Sequence, residues 1–332
     1  MVALRKAAAA LVLLLATGAG GHALGQTTWR PDKPVELILP TAAGGANDNE
    51  ARLIQKILQD HKIVPTAVLV LNKAGGNQTL AAMYLRQNAR DPHHLLFSTS
   101  SVFTAQITGL VQQKYTDLAP IALLLTEYSV IAVGANSPLK SVHDLAAKLK
   151  ADPQSLSFGL VSRGGSNHIA LSQIARSAGI DPRRLKVVVF KTNVESYLGV
   201  AGGHTDAVAS SATAARQFVE QGTARVLGIG APQRQPGPLA QVPTFKEQGF
   251  DLPLTANWRG IFGAPGLAPP QVAFWEDAFA KMVATEDWKQ AVEKIRLTGT
   301  FLRGQDFARF LDAEYQVSRS VLTELGYAKQ QP

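Results

Sequence analysis

Three runs of small residues carry the chemistry this chain could do: Thr41-Ala42-Ala43-Gly44-Gly45, Ala74-Gly75-Gly76-Asn77 and Ser162-Arg163-Gly164-Gly165-Ser166. Each follows a short apolar run and precedes a segment of helical spacing. Glycines there let backbone N–H groups approach a ligand closely, and a helix that begins at the turn adds about half a positive charge. Such turns suit a carboxylate. Asp48, just inside the first helix, can cap free N–H groups or accept from a ligand ammonium. Asn167 and His168 stand at the start of a later helix, where the imidazole could donate to an anion or satisfy nearby backbone. Ser98 and Ser100, at the hydroxyl-rich end of a third strand, and Asp206 of the second half complete the candidate ligand set. An Asp206 that faced the ligand would favour a donor or ammonium group.

Other chemistries lack their residues. The chain has no cysteine, which removes disulfides, thiolate metal sites and cysteine nucleophiles. Neither phosphate fingerprint, G-x-x-x-x-G-K-[ST] nor G-x-G-x-x-G, occurs, and the G-x-S-x-G elbow and H-E-x-x-H helix are missing too. His93 and His94 are adjacent in a strand-like run, so their side chains point to opposite faces and do not readily share one ion. No cofactor, no metal and no catalysis is expected. A hydrolase ranks last among the readings.

The elements that must position the turns alternate strand and helix. Pro34–Pro40 reads as a strand before the first turn, Ala67–Leu71 before the second and Leu95-Leu96-Phe97 as a third, and a matching series follows at Leu156–Leu160, Lys186–Phe190 and Ala207–Ala209. Alternation of this kind implies parallel sheets with right-handed crossovers, and ligands in such sheets sit beyond the carboxyl ends of the strands. Ser141 and Asp144 are spaced as a capping box. After Pro265 the spacing is helical over Gln271–Ala284, Glu286–Lys294 and Asp306–Leu325, with no further strand expected. A length of 332 residues accommodates two lobes. These are placed at 26–132 with 255–332, and at 133–254, joined by crossing strands near Ile131–Val133 and Ile261–Phe262.

The N-terminus reads as a cleavable export signal over residues 1–25: Arg5 and Lys6 precede an apolar run from Ala7 to Ala16, and Ala23-Leu24-Gly25 closes it. The protein is therefore expected in the periplasm. Without those two cations the formal charge falls from +8 to +6, with no basic run of five or more to suggest nucleic acid as a partner.

The chain resembles the Bug-type periplasmic solute receptors of tripartite tricarboxylate transporters. The family's first-loop pattern, P-x-x-x-G-G-x-x-D and then A-R, is similar to Pro40 through Asp48 followed by Ala51-Arg52. Its N-[RK]-P-G turn resembles Asn72-Lys73-Ala74-Gly75, and its P-D-G-[YH] element resembles Arg90-Asp91-Pro92-His93. A G-x-x-x-H helix start appears at Gly164 to His168, part of V-P-Y-K-G at Val188–Thr192, and G-G-x-x-D at Gly202–Asp206. The late landmarks V-P-T-x-x-E-x-G and W-x-G-x-x-x-P match Val242–Gly249 and Trp258–Pro265.

The resemblance implies an α/β fold of two-lobed periplasmic-binding-protein architecture (type II, Venus flytrap), with mixed sheets flanked by helices. It further implies a small carboxylate ligand held by the first two loops, largely through backbone N–H groups and bridging waters. Asn77 and Gln78, Ala42, Thr192 and Pro92 depart from the family's common residues, adding bulk and hydrogen-bonding groups near the mouth. The expected function is non-enzymatic: a monomeric receptor for a di- or tricarboxylate, an aromatic acid or an acidic amino acid, delivering its cargo to membrane transporter subunits. A periplasmic sensor subunit, docking on a membrane signalling protein, is the alternative.

Overall fold

The computed structural model describes residues 29–75, 78–253 and 256–329. The expected signal segment, together with Gly76 and Asn77 of the second turn, lies outside the described residues.

Two parallel three-stranded units are built on the same plan. In the first, β1 (Val35–Leu39) pairs in parallel with β2 (Val68–Asn72) on one side and β3 (His94–Thr99) on the other. Its crossovers are α1 (Ala46–Asp60) and α2 (Thr79–Gln87), and α3 (Ser101–Ile107) follows β3. In the second, β5 (Ser157–Leu160) pairs in parallel with β6 (Lys186–Val189) and β7 (Ala207–Ser211), through α5 (Ser166–Ser177) and α6 (Asn193–Ala201). The turns that end β1 and β5 thus occupy equivalent positions, at the carboxyl ends of the central strands.

One strand joins the units. β4 (Ala119–Gly134) is almost continuously apolar and buried, the pattern of a strand covered on both faces. Its first half pairs antiparallel with β9 (Ala256–Gly263) and β10 (Thr298–Arg303). Its second half pairs with β7 and β8 (Ala224–Ile229). The partners change between Tyr128, opposite Ala256, and Ser129, opposite Ser211. The first crossing therefore lies just ahead of Ile131–Val133, which already pairs within the second lobe. On the return, β9 already pairs with the first-lobe half of β4 from its first residue, Ala256. Ile261 and Phe262, expected to cross, instead pair with Phe97 and Leu96 in the middle of the first lobe, where both are fully buried.

α4 (Val142–Ala151) starts with the anticipated capping box: Ser141 Oγ accepts from the Asp144 N–H, and the Asp144 carboxylate from the Ser141 N–H. α7 (Ala212–Glu220) follows β7, and after β9 come α8 (Pro269–Ala284), α9 (Glu286–Ile295) and α10 (Gly304–Glu324). β10 is a strand the sequence did not announce. Thr298–Arg303 carries an internal glycine and is only partly buried, and it joins β4 through a bulge, so no clean alternation marks it.

Each lobe has its own core. In β1, Val35, Leu37 and Leu39 lie beneath α1 and α8, and Ile38 turns to the opposite face with Phe307 and Leu311 of α10, as strand alternation requires. α10 also reaches the other lobe: Ile169 of α5 packs into the α10 cluster, and Arg176 Nε lies 3.1 Å from Glu324 Oε2.

Trp275 of α8 is fully buried, and its indole N–H donates to the Pro92 carbonyl at 2.8 Å. Trp275→Ala is expected to lower the urea unfolding free energy by about 3–5 kcal/mol. A loss near zero would remove this side chain from the core's supports.

Candidate functional site

A cavity of about 1360 Å³ opens between the lobes, larger than the roughly 300–1,000 Å³ of most small-molecule sites and suited to a cleft standing open. From the first lobe it is lined by Ala46, Asn49 and Glu50 of α1 and by Thr99, Ser100 and Ser101 after β3. From the second lobe come Ser162, Gly165, Ser166 and Asn167, with Asn193 and Ser211 at two further helix starts. Glu127, Asn257 and Arg259 line it beside the crossing strands.

The two central turns are near-copies. Gly44 and Gly164 have φ of +83° and +75°, in the left-handed region that glycine tolerates, and Gly45 and Gly165 are extended N-caps with no side-chain hydrogen bond. Each turn is held by an acceptor four residues on: Asp48 Oδ2 takes the Gly44 N–H at 2.9 Å, and His168 Nδ1 takes the Gly164 N–H at 2.9 Å. The runs Gly44-Gly45-Ala46-Asn47-Asp48 and Gly164-Gly165-Ser166-Asn167-His168 thus share one geometry. No acceptor among the described residues meets the N–H groups of Ala46, Asn47, Ser166 or Asn167. The first amides of a helix have no partner in their own helix, so two uncapped starts face the cleft from opposite lobes.

This geometry assigns holding roles to Asp48 and His168. Asp48 is almost fully buried; it also accepts from Arg52 Nε and Asn72 Nδ2, and these donors hold its carboxyl down at about 2. His168 is likewise buried, and burial, with Arg163 nearby, holds it down at about 4. It is a neutral ring whose Nδ1 is an acceptor, so it does not donate to an anion from that atom. Asp206 is displaced altogether. It binds the N–H and hydroxyl of Ser157 at 2.8 and 2.7 Å, at the amino end of β5, while the cleft lies beyond the carboxyl end. Burial raises its carboxyl, but the Ser157 bonds outweigh that and leave it below the usual range.

Of the remaining candidates, Ser100, Ser162, Ser166 and Asn167 line the cavity. Asn167 Oδ1 accepts from Ser129 Oγ at 2.7 Å, which leaves its amide N–H groups for other acceptors. Ala42, Ala43, Gly44 and Gly45 are exposed around the α1 start, and the half-buried Thr41 gives its carbonyl to Asn72 Nδ2. Gly75 is exposed at φ +125°. Ser98 is buried behind the wall, donating to Gln78 Oε1 at 3.3 Å, and Gly164 is a buried turn residue with no room toward Leu322.

The cavity also has a charged floor. Arg259, 6% exposed, gives Nε to Glu50 Oε2 at 3.1 Å and Nη1 to Glu127 Oε2 at 3.3 Å. Burial raises the Glu50 carboxyl, and Arg259 opposes the rise. On α10, Glu314 and Ser318 line the same space. The signal for these residues was a charge inside an apolar pattern: Glu127 in β4, Arg259 in β9, and Glu50 beside Ala51 and Ile54. Among the described residues no group of three or more His, Asp or Glu could hold a metal, and no helix is long and apolar enough to cross a membrane.

A strand-end cleft with matched helix starts from two lobes is the frame of a solute receptor. The profile of the tripartite tricarboxylate transporter family receptors matches residues 51–327. The chain belongs to this family. A UPF0065 protein of Cupriavidus necator is 27% identical over 304 residues, covering 91% of this chain and 90% of its own. A TctC solute-binding protein from Polaromonas superposes with a TM-score of 0.80 at 23% identity, over 89% of this chain and 99% of its own. An R. palustris protein solved with adipate superposes with a TM-score of 0.70 at 22% identity, over 90% and 99%. Members of the family are solute receptors, not enzymes.

Burial pushes Glu314 up to about 8 from an ordinary 4.5, against a weaker pull from the Ala256 N–H. The folded chain then keeps a proton that the unfolded chain releases, so stability falls as pH rises between these values. Glu314→Gln is expected to raise the melting temperature more at pH 8 than at pH 5. An equal change at both would contradict the buried, protonated acid.

Proposed function

We propose that this chain is a periplasmic receptor that captures a small organic acid in the interlobe cleft and presents it, as a monomer, to the membrane subunits of a tripartite tricarboxylate transporter. The observation that carries the reading is the pair of uncapped helix starts, at Ala46 and Ser166, facing one cavity from two lobes. Hydrogen bonds from N–H groups to a carboxylate are each worth about 1.5–3 kcal/mol, and a helix terminus adds about 0.3–1. Three or four of them, less the cost of immobilising ligand and lobes, reach roughly micromolar affinity. Binding from both sides rewards closure, the event a transporter can read. The fold-level likeness to a protein solved with adipate supports an acid as cargo, as does the export signal read from residues 1–25.

A thermal-shift screen of di- and tricarboxylates, aromatic acids and acidic amino acids tests the reading. Ligand at about a thousand times its Kd stabilises by about 4 kcal/mol, a rise of several degrees. No rise with any acid would overturn the proposal.

Gly45 offers a cleaner probe than Gly44. Its φ of −84° suits any residue, and an added Cβ would meet only the Ala42 carbonyl, at 3.9 Å. Gly45→Val is therefore expected to leave the apo melting temperature in place and to weaken the acid by about tenfold or more, the worth of one lost charge-assisted bond. Unchanged affinity by calorimetry would remove the α1 start from the site.

A further inference from the structure

We infer that the acid carried by this receptor also bears an ammonium group, which the Glu50–Arg259–Glu127 floor of the cleft receives. The inference rests on the cleft being the carboxylate site and adds what the other end of the ligand must be.

The floor is one charge short of balance. Two carboxylates share a single guanidinium, and both acids and the arginine are largely withdrawn from solvent, with side-chain exposures of 8%, 11% and 7%. Arg259 spends Nε on Glu50, and Nη1 on Glu127 and the Asn257 carbonyl at 2.8 Å. Asn257 Nδ2 adds a donor, at 3.3 Å, to the same Glu127 oxygen that Arg259 uses. Glu50 Oε1 and Glu127 Oε1 receive no hydrogen bond from any described residue, although Glu50 and Glu127 both line the cavity. The hydroxyl of Ser318, a residue 5% exposed and lining the same space, likewise has no hydrogen-bond partner among the described residues.

Unmatched acceptors in a low-dielectric floor favour a cation and repel a second carboxylate. Arg163, Lys294 and Lys329 also line the cavity, so the preference belongs to the floor itself, where Arg259 is already paired with both carboxylates. Spacing supplies the rest. Glu50 lies four residues beyond Ala46 on the cavity face of α1, about 6 Å of helix rise. A carboxylate at the helix start and an ammonium at Glu50 are therefore separable by the chain of a small amino acid.

The test compares matched pairs on the purified wild-type protein by calorimetry: butyrate with 4-aminobutyrate, valerate with 5-aminovalerate, and glutarate with glutamate. The ammonium-bearing member of at least one pair is expected to bind about tenfold tighter or more, the worth of a charge-assisted hydrogen bond. Glu50→Gln and Glu127→Gln should each cut that preference severalfold, by weakening the ammonium-bearing member relative to its plain acid. Apo melting of both variants reports whether they fold, and the wild-type pairs decide the matter if either does not. Equal or tighter binding of the plain acids, or a preference untouched by both substitutions, overturns the inference and leaves the carboxylate reading standing. Binding by neither member of any pair, with no acid active in the thermal-shift screen, overturns both.

Discussion

The site depends on helix amides that the chain itself declines to satisfy. A helix exposes its first N–H groups, and most helices cover them with a side chain at the N-cap. α4, α6 and α7 do so, through Ser141, Thr192 and Ser211. α1 and α5 instead begin at glycines that offer no cap, and both point into the space between the lobes. Asp48 and His168 reach back only as far as Gly44 and Gly164, so they brace the turn and leave the amides beyond it open. Chemically unlike residues thus do the same work. A carboxylate serves through its ionised form and an imidazole through its neutral one, and the surroundings hold each in the state its task requires.

Much of this could be read from the residues alone. Small-residue turns after apolar runs located the strand ends, their recurrence indicated two related halves, and the order of motifs gave the family. What the residues could not supply was end-for-end placement. Asp206 follows a glycine pair and resembles a loop ligand, yet it closes the far end of β5, a fact set by strand order. The crossing at Ile261–Phe262 failed for a similar reason, since an apolar strand reads alike wherever it lies in a sheet. Only pairing partners show that the change of lobe occurs at Tyr128 and Ser129.

The floor shows a different limit of sequence reading. Glu127 and Arg259 are legible as charges within apolar strands, but their opposition across β4 and β9, and the approach of Glu50 from α1, are tertiary facts. Buried charges of this kind contribute little net stability when balanced and cost stability when not. Two carboxylates on one guanidinium beside an open cavity are therefore better explained by what enters the cavity than by the fold.

The hold of α10 on α5 bears on how such a molecule can shut. α10 is rooted in the first lobe's core, yet it packs Ile169 and ion-pairs with Arg176 on the other side of the opening. A gate hung on the continuous strand alone could swing in any direction, but here α10 ties the lobes a second time. Any narrowing of the mouth must therefore slide α5 along α10 or break these contacts, which sets a shear rather than a free flap as the path of least disruption.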